Sequence, residues 1–156
     1  MSEQKILKGQ ECPVARALDV IGDKWSLMII RDAFDDVCRF SHFQKNLGLG
    51  KNILTTRLRT LVGLGIFEVR PASDGSAYKE YSLTDAGRAL FPIIVSFRQW
   101  GERYLFSEGE IHSVLVDKEN EKPISVVAVV DGNGNPLEPG DCSRRRVIKG
   151  SDGFIG

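Results

Sequence analysis

The chain has 156 residues, of which 42% are hydrophobic, and its 21 Lys and Arg balance its 21 Asp and Glu. This length suits one core with an appendage and excludes two full-sized domains. No apolar run approaches the roughly 20 residues of a membrane span, and residues 1–10 lack the apolar centre of a secretory signal. We therefore expect a cytoplasmic protein without a membrane partner.

Two helices are predicted in the N-terminal part. The spacing of Val14, Leu18 and Ile21 predicts a short first helix. Asp23 is a favourable N-cap for a second helix over residues 24–34, which is apolar around nearly its whole circumference. This second helix should lie at the centre of the core.

The middle of the chain has the order of a winged helix. Ser41 is predicted to cap a short helix that ends at Leu47, and a glycine-rich turn follows. Residues 51–64 form a longer helix with its leucines on one face. Strands over residues 66–70 and 79–83, joined by a turn with an Asp-Gly pair, complete the order.

Basic residues are concentrated in this part of the chain. Residues 39–83 contain seven Lys or Arg and three Asp or Glu. Asn can bind the edge of adenine, Arg that of guanine, and a Thr methyl can contact thymine. A polar outer face is also ordinary for a solvated helix, but the neighbouring helix and hairpin favour DNA readout. Projection of the longer helix at about 100° per residue identifies the candidate readers on the face opposite the leucines as Asn52, Thr55, Thr56 and Arg59.

Further cations are placed to hold the DNA backbone. Lys51 and the free N–H groups of the first helical turn suit a phosphate. Arg70 and Lys79 lie at the base of the predicted hairpin, where a wing would touch the adjacent backbone. Arg57 projects nearer the apolar side, and a structural ion pair and a phosphate contact are equally open for it.

A long helical pattern follows the hairpin. Thr84 is a good N-cap, and Pro92 predicts a break, with a short helix before it and a second helix from about Pro92 to Phe106. The second helix carries more apolar surface than one core needs. We attribute the surplus to a partner subunit.

The rest of the chain changes character and charge. Residues 1–107 carry a net charge of +3, and residues 108–156 carry −3. Apolar residues concentrate at 111–116 and 124–130 between Gly and Pro, which predicts two or three short strands. We expect an α+β fold, mostly α, with an arm at 1–11, a winged helix-turn-helix domain with flanking dimerisation helices at 12–106 and a small β-rich extension at 107–156.

A family resemblance rests on six segments that occur in order. They are CPV at 12–14, IGDKW at 21–25, RF at 39–40, LTTRL at 54–58, YSLTDAGR at 81–88 and WG at 100–101. Over residues 12–106 the chain resembles the HxlR-type winged helix-turn-helix regulators. The resemblance implies a homodimeric bacterial transcription regulator that binds double-stranded DNA. Our leading hypothesis is a repressor, and we expect no cofactor.

The resemblance also implies roles for individual residues. Arg39 and Ser41 would contact DNA at the start of the helix-turn-helix, and Ser73, Ser76 and Tyr78 of the wing would lie over the minor groove or phosphates. A twofold dimer predicts a near-palindromic operator with half-sites about 34 Å apart. The first helix and the last long helix would form the dimer interface, through Val14, Leu18, Ile94, Phe97, Trp100 and Tyr104.

Cys12 is a candidate redox sensor. It lies just before the first helix, where the helix dipole favours a thiolate. In some regulators that this chain resembles, a cysteine at this position senses oxidants or electrophiles, and inert packing is the alternative. Cys12, Cys38 and Cys142 contain no CxxC pair, which suits a reducing compartment.

Other functions have less support in the sequence. An enzyme would require Cys12 to pair with His42 or His112, and no nucleophile elbow, metal motif or phosphate loop accompanies them. A winged helix used only for protein contacts is the alternative function, which the basic bias disfavours. No small-molecule effector can be assigned from a motif.

The extension resembles a zinc-ribbon-like unit of some family members, which is built from a His-x-x-Cys and a Cys-x-x-Cys-Gly pair. The matching positions here are Asp117, Asn120, Val130 and Asn133, which lack the thiolates and the imidazole. We therefore expect no metal, and we interpret Asp117 and Asp131 as turn residues.

Overall fold

The computed structural model describes residues 11–147 and 154–155. The predicted N-terminal arm, residues 1–11, therefore lies outside the described residues except for Glu11. The chain divides into two compact units, Met1–Arg98 and Gln99–Gly156, which we call the winged-helix unit and the tail unit. The predicted domain boundary after residue 106 stays a prediction.

The winged-helix unit contains most of the regular structure. As predicted, Asp23 caps the second helix, because the backbone N–H of Ser26 donates to Asp23 Oδ1 at 2.9 Å. In chain order the elements are α1 (Pro13–Ile21), α2 (Lys24–Phe34), α3 (Phe40–Leu47), α4 (Lys51–Gly63), β1 (Phe67–Pro71), β2 (Lys79–Leu83), α5 (Asp85–Arg88) and α6 (Phe91–Tyr104), which continues into the tail unit.

The start of α3 differs from the prediction. Ser41 is not the N-cap but an exposed residue of the first turn, and Arg39 occupies the N-cap position without a side-chain capping bond. The Arg39 carbonyl accepts from the N–H groups of His42 at 3.1 Å and Phe43 at 3.0 Å. The helix starts at Phe40 because this ring packs against the core together with the fully buried Phe43.

A short turn joins α3 to α4. Gly48 ends α3 in the left-handed region at φ +63°, where a side chain would be strained. Leu49 then turns inward and is buried, and Gly50 is the N-cap of α4. The side chains of Leu54, Leu58 and Leu61 are fully buried and fix the orientation of α4 on the core.

The hairpin packs its inner side on the same core. β1 and β2 are antiparallel, with Phe67 opposite Leu83 and Pro71 opposite Lys79. The Phe67 ring meets the edge of Phe43 at a centroid distance of 6.3 Å. The N–H of Tyr81 donates to the Cys38 carbonyl at 2.8 Å and ties β2 to the connection between α2 and α3.

The break after the hairpin is confirmed. Thr84 Oγ1 accepts from the N–H of Gly87 at 3.1 Å and caps the short helix α5. A Cβ on Gly87 would lie 2.3 Å from the Ile66 carbonyl oxygen, so only glycine fits at this position. The long helix α6 then starts at Phe91 with Pro92 in its first turn, where proline is tolerated.

The tail unit has less regular strand than predicted. The runs 111–116 and 124–130 contribute only single bridges among the described residues, from Val116 to Pro123 and from Val130 to Pro136. The consecutive valines point to both sides of an extended chain, and the described residues do not cover them: Val126 is 77% exposed. Short helical and strand segments complete the unit at Pro139–Asp141, Arg146–Val147 and Phe154–Ile155.

No helix in the described part of the chain has the length and apolar character needed to cross a bilayer.

Candidate nucleic-acid interface

The face of α4 opposite its buried leucines is open. Asn52, Thr56 and Arg59 are exposed on it, as predicted from the helical projection. Thr55 is partly buried and lies at the margin of this face. Thr60 is exposed beside Thr56 and was missed by the sequence analysis, although the same projection places it on the outward side.

The threonine hydroxyl groups of this face donate hydrogen bonds to backbone carbonyls of the same helix. Thr55 Oγ1 donates to the Lys51 carbonyl at 2.7 Å, and Thr56 Oγ1 donates to the Asn52 carbonyl at 2.9 Å. Thr60 Oγ1 donates in the same way to Thr56. What these side chains still offer is a methyl group and a lone pair, which suit contact with a thymine methyl or acceptance from a base amine.

The first turn of α4 is prepared for an anion. Its N-cap, Gly50, has no side chain to accept from the N–H groups of the turn. Lys51 is exposed directly beside these groups. Backbone donors at the positive end of a helix dipole, together with a lysine, match a DNA phosphate.

The structure separates the seven cations of residues 39–83 into two groups. Arg57 pairs with Asp23, with Nε 3.6 Å from Oδ1, so the ion pair is the alternative that the structure contains. Arg70 pairs with Glu68, and Arg39 pairs with acids of the hairpin. The described part of the chain contains no acid paired with the remaining four, which are Lys45, Lys51, Arg59 and Lys79.

A cleft of about 520 Å³ lies between the start of α3 and the hairpin. It brings together four predicted contacts that are far apart in the chain. His42 also lines the cleft and was missed by the sequence analysis, because a lone exposed histidine gives no local signal. The lining residues are Arg39, Phe40, Ser41, His42, Tyr78, Lys79 and Tyr81.

Two other predicted wing residues serve the hairpin itself. Ser73 Oγ donates to Glu80 Oε1 at 3.2 Å, and the N–H of Ser76 donates to Asp74 Oδ1 at 2.9 Å. Both serines are exposed in the turn, but they do not line the cleft. Gly75 closes the turn at φ +74°, where glycine is favoured.

The residues predicted for a dimer interface are largely exposed. Val14 and Leu18 are exposed on α1, and Phe97, Trp100 and Tyr104 are exposed on α6. Ile94 differs, because it is partly buried against the core of its own chain. Ile93 is exposed instead and has the helical spacing that places it with Phe97.

The cysteines have different surroundings. Cys12 is the N-cap residue of α1 and is exposed, so it is not packed in the described structure. Cys38 is partly buried, and its burial and then the Glu80 carboxylate raise the pKa of its thiol, which disfavours a thiolate. Cys142 is exposed in the tail unit.

The aspartates of the tail unit hold turns, as predicted. Asp117 Oδ1 accepts from the N–H of Asn120 at 2.6 Å, and Asp131 Oδ1 accepts from those of Asn133 at 2.8 Å and Asn135 at 2.9 Å. These backbone hydrogen bonds lower the pKa of both carboxyl groups. Across the residues that the structure describes, no group of three or more His, Cys, Asp or Glu side chains could hold a metal ion.

Comparison with known proteins places this geometry in context. The model of the HxlR-like helix-turn-helix family matches residues 20–108. The uncharacterized HTH-type transcriptional regulator MT3179 of Mycobacterium tuberculosis is 48% identical over 92 residues, which are 59% of this chain and 58% of that protein. This chain thus spans less than two thirds of the length of that relative.

Two solved structures extend the comparison. PA1607, described as a candidate transcription factor, is 51% identical with a TM-score of 0.83, and the match covers 91% of this chain and 97% of PA1607. The redox regulator HypR in its oxidized form is 37% identical with a TM-score of 0.53, and the match covers 58% of this chain and 95% of HypR.

Proposed function

This chain belongs to the HxlR-like helix-turn-helix family, and from that premise we propose that it is a transcriptional regulator, namely a sequence-specific repressor that binds double-stranded DNA in the cytoplasm as a homodimer. The proteins that it resembles are described as transcription regulators and factors. A winged helix that binds only proteins is the alternative.

One observation carries the proposal, namely the position of the cations that have no acidic partner among the described residues. Lys51 flanks the uncapped first turn of α4, Arg59 lies on the exposed face of that helix, and Lys79 lines the cleft below the wing. Unpaired cations keep their full attraction for phosphate, whereas Arg57 is already paired with Asp23. In this proposal, Asn52, Thr56 and Arg59 read bases, with Thr60 beside them and Thr55 at the margin.

The paired and turn residues have secondary parts. Arg70 pairs with Glu68 in solvent, and an exposed pair of this kind opens at little cost, so Arg70 remains a proposed phosphate contact. Ser73 and Ser76 shape the turn that presents Tyr78, which is 70% exposed. Ser41 and His42 line the same cleft and complete the proposed backbone contacts.

Gel shifts with the chain's own upstream DNA across a salt series test this function. We expect preference over random DNA and a steep fall of affinity with salt, because bound phosphates release counterions. Arg59→Ala should relax specificity at one base pair by about 1–3 kcal/mol, whereas Lys51→Ala should weaken all DNA alike and reduce the salt slope by about one. Lys118→Ala, which removes an exposed tail lysine, is the control and should change neither.

Two results would contradict the proposal. Absent or salt-independent binding by the wild-type chain would favour the protein-contact alternative. Equal loss of affinity for operator and random DNA in Arg59→Ala would remove this residue from base readout.

The homodimer is proposed from the exposed apolar residues of α1 and α6. Phe97 is 59% exposed and Trp100 is 57% exposed, which is unusual for large aromatic side chains on a regular helix. Phe97→Glu should convert a dimer into monomers in analytical ultracentrifugation. A wild-type chain that sediments as a monomer at micromolar concentration would exclude this part of the proposal.

Redox control through Cys12 is proposed from its exposure at the start of α1 and from the similarity to HypR, a redox regulator. Cys12→Ser should keep operator binding and lose its sensitivity to diamide. Unchanged diamide sensitivity in this variant would remove Cys12 as the sensor.

A further inference from the structure

Arg39 links two parts of the winged-helix unit that are distant in sequence. Its guanidinium Nη2 lies 2.5 Å from Asp74 Oδ2 in the turn of the hairpin and 3.5 Å from Glu80 Oε1 in β2. Only 24% of the Arg39 side chain and 15% of the Glu80 side chain are exposed. Both contacts use the same nitrogen, and the two carboxylates neutralise the charge of the guanidinium, which weakens its attraction for a phosphate.

Both carboxylates are themselves fixed by the hairpin. Asp74 accepts from the N–H of Ser76, and Glu80 accepts from the hydroxyl of Ser73. The Tyr78 ring completes the cluster, with its centroid 5.7 Å from Arg39 Cζ, within reach of a cation–π contact. The Arg39 guanidinium, and after it Ser76, hold the pKa of Asp74 far below its usual range, so the acid stays charged in this pair.

The backbone attaches the hairpin at a second point. The N–H of Tyr81 donates to the carbonyl of Cys38, the residue before Arg39. This bond holds β2 near its middle, whereas the Arg39 side chain reaches Asp74 in the turn. The turn carries Tyr78 and Lys79 at its end, and both line the cleft toward which the proposed DNA backbone would pass.

We propose that Arg39 is a positioning residue that sets the wing against the start of α3, and that it does not itself contact DNA. The inference rests on the proposed DNA-binding function and replaces the expectation that Arg39 is a direct contact. Arg39 and its two acids together carry one negative charge, so the cluster does not attract phosphate. It acts by placing Tyr78 and Lys79 where they can.

Substitution of an acid tests the inference by the sign of its effect. Asp74→Asn removes a negative charge from the wing, so a purely electrostatic account expects tighter DNA binding. A positioning role expects weaker binding, because the turn loses its attachment. We expect Asp74→Asn and Arg39→Ala each to lower operator affinity about tenfold, and the double variant to lower it little further, because both remove one interaction.

Glu68→Gln is the matched control. It makes the same change of charge on the same hairpin, but Glu68 pairs locally with Arg70 and does not reach α3. We expect its operator affinity to be equal to or higher than that of the wild type. The charge-swapped variant Arg39→Asp with Asp74→Arg should regain part of the affinity, since it keeps opposite charges at the two positions but loses the acceptor for the Ser76 N–H. Tighter binding by Asp74→Asn would overturn the inference.

Hydrogen exchange in the free protein separates this inference from the DNA-binding proposal. The N–H of Ala72 donates to the Tyr78 carbonyl at 3.1 Å across the turn. Its exchange should accelerate about tenfold in Arg39→Ala and Asp74→Asn but not in Glu68→Gln, with the amide of Leu58 in α4 unchanged in all three. Unchanged exchange at Ala72 would overturn the positioning role even if DNA binding fell. Wild-type protein that binds no DNA would refute the proposed function, and the exchange data would still decide whether Arg39 holds the turn.

Discussion

Leucine, isoleucine and phenylalanine from α2, α3, α4 and the hairpin share one core in the winged-helix unit, whereas the valines of the tail unit are largely in solvent. The tail unit has a smaller share of apolar residues, 20 of 58 against 45 of 98 in the winged-helix unit. The two units also differ in periodicity. Leucines three and four residues apart share one face of α4, but the consecutive valines at 126–127 and 129–130 alternate across an extended chain and need cover on both sides.

Polar contacts show the same contrast. Arg39 pairs with Asp74, 35 residues away, and with Glu80, 41 residues away. Both ion pairs therefore depend on the tertiary fold. Asp117 and Asp131 accept from backbone groups at most four residues away, so these turns need no neighbouring element. The winged-helix unit is therefore held together by distant contacts, and the described part of the tail unit is shaped largely by local ones.

Truncation of one apolar side chain in each unit gives the largest expected difference. Leu58→Ala should lower the free energy of unfolding by about 2–5 kcal/mol, because the side chain is fully buried. Val126→Ala should change it by less than about 0.5 kcal/mol, because Val126 is exposed. Urea unfolding followed by circular dichroism measures both.

A similar loss of unfolding free energy in the two variants would contradict this difference between the units. In that case, the tail valines would be buried in an assembly. The cost of Val126→Ala would then depend on protein concentration, because dissociation would precede unfolding.

The sequence predicted best what local chemistry decides. The cap at Asp23, the turn at Gly48 and the break at Pro92 depend on residues within a few positions, and the structure contains all three. The outward face of α4 followed from helical projection for Asn52, Thr56 and Arg59, whereas Thr55 is partly buried at its margin. The family resemblance was confirmed by the match over residues 20–108.

What the sequence could not predict depends on tertiary packing. Because Phe40 packs on the core, α3 starts at Phe40, earlier than predicted, and Arg39 rather than Ser41 is its N-cap. Ile93 and Ile94 are adjacent apolar residues of α6, so only the packing of the helix decides which of them faces the core and which is exposed. Nothing near Arg39 in the sequence indicates that its partners lie in the hairpin.

A smaller effect is expected at Gln99, whose side chain contacts a distant segment of the tail unit. Gln99 Nε2 donates to the Ser125 carbonyl at 3.0 Å, and Gln99 Oε1 accepts from the N–H of Val127 at 2.8 Å. Gln99→Ala should accelerate hydrogen exchange at Val127 about tenfold, which corresponds to roughly 1.4 kcal/mol of lost protection. The amide of Ala72 in the hairpin should be unaffected.

Gln99→Glu sharpens this measurement. A glutamate keeps the acceptor for the Val127 N–H but loses the donor to Ser125, so its effect should lie between those of the wild type and Gln99→Ala. If Gln99→Ala leaves exchange at Val127 unchanged, contacts other than those of Gln99 protect this segment. The tail unit would then depend on more distant contacts than its hydrogen bonds indicate.

The smallest expected effect concerns the origin of two lowered pKa values. Asp74 is stabilised as a carboxylate first by the Arg39 guanidinium, and Asp131 first by the backbone N–H of Asn135. Each carboxylate stabilises the folded state at pH values above 3.8, the usual pKa of an aspartate. This stabilisation is lost as the pH falls through the lowered pKa of the folded state. Raising the salt concentration to 1 M shortens the screening length to about 3 Å and should weaken chiefly the contact between full charges.

Carboxyl 13C NMR titrations at low and high salt measure this difference. The pKa of Asp74 should rise toward 3.8 in high salt, and that of Asp131 should rise less, because backbone dipoles within hydrogen-bond distance are screened little. In Arg39→Ala the pKa of Asp74 should be higher at low salt and respond to salt no more than that of Asp131. Equal salt responses in the wild type would mean that the local Ser76 hydrogen bond, rather than Arg39, dominates at Asp74. The turn of the hairpin would then be stabilised by local hydrogen bonds, like the turns of the tail unit.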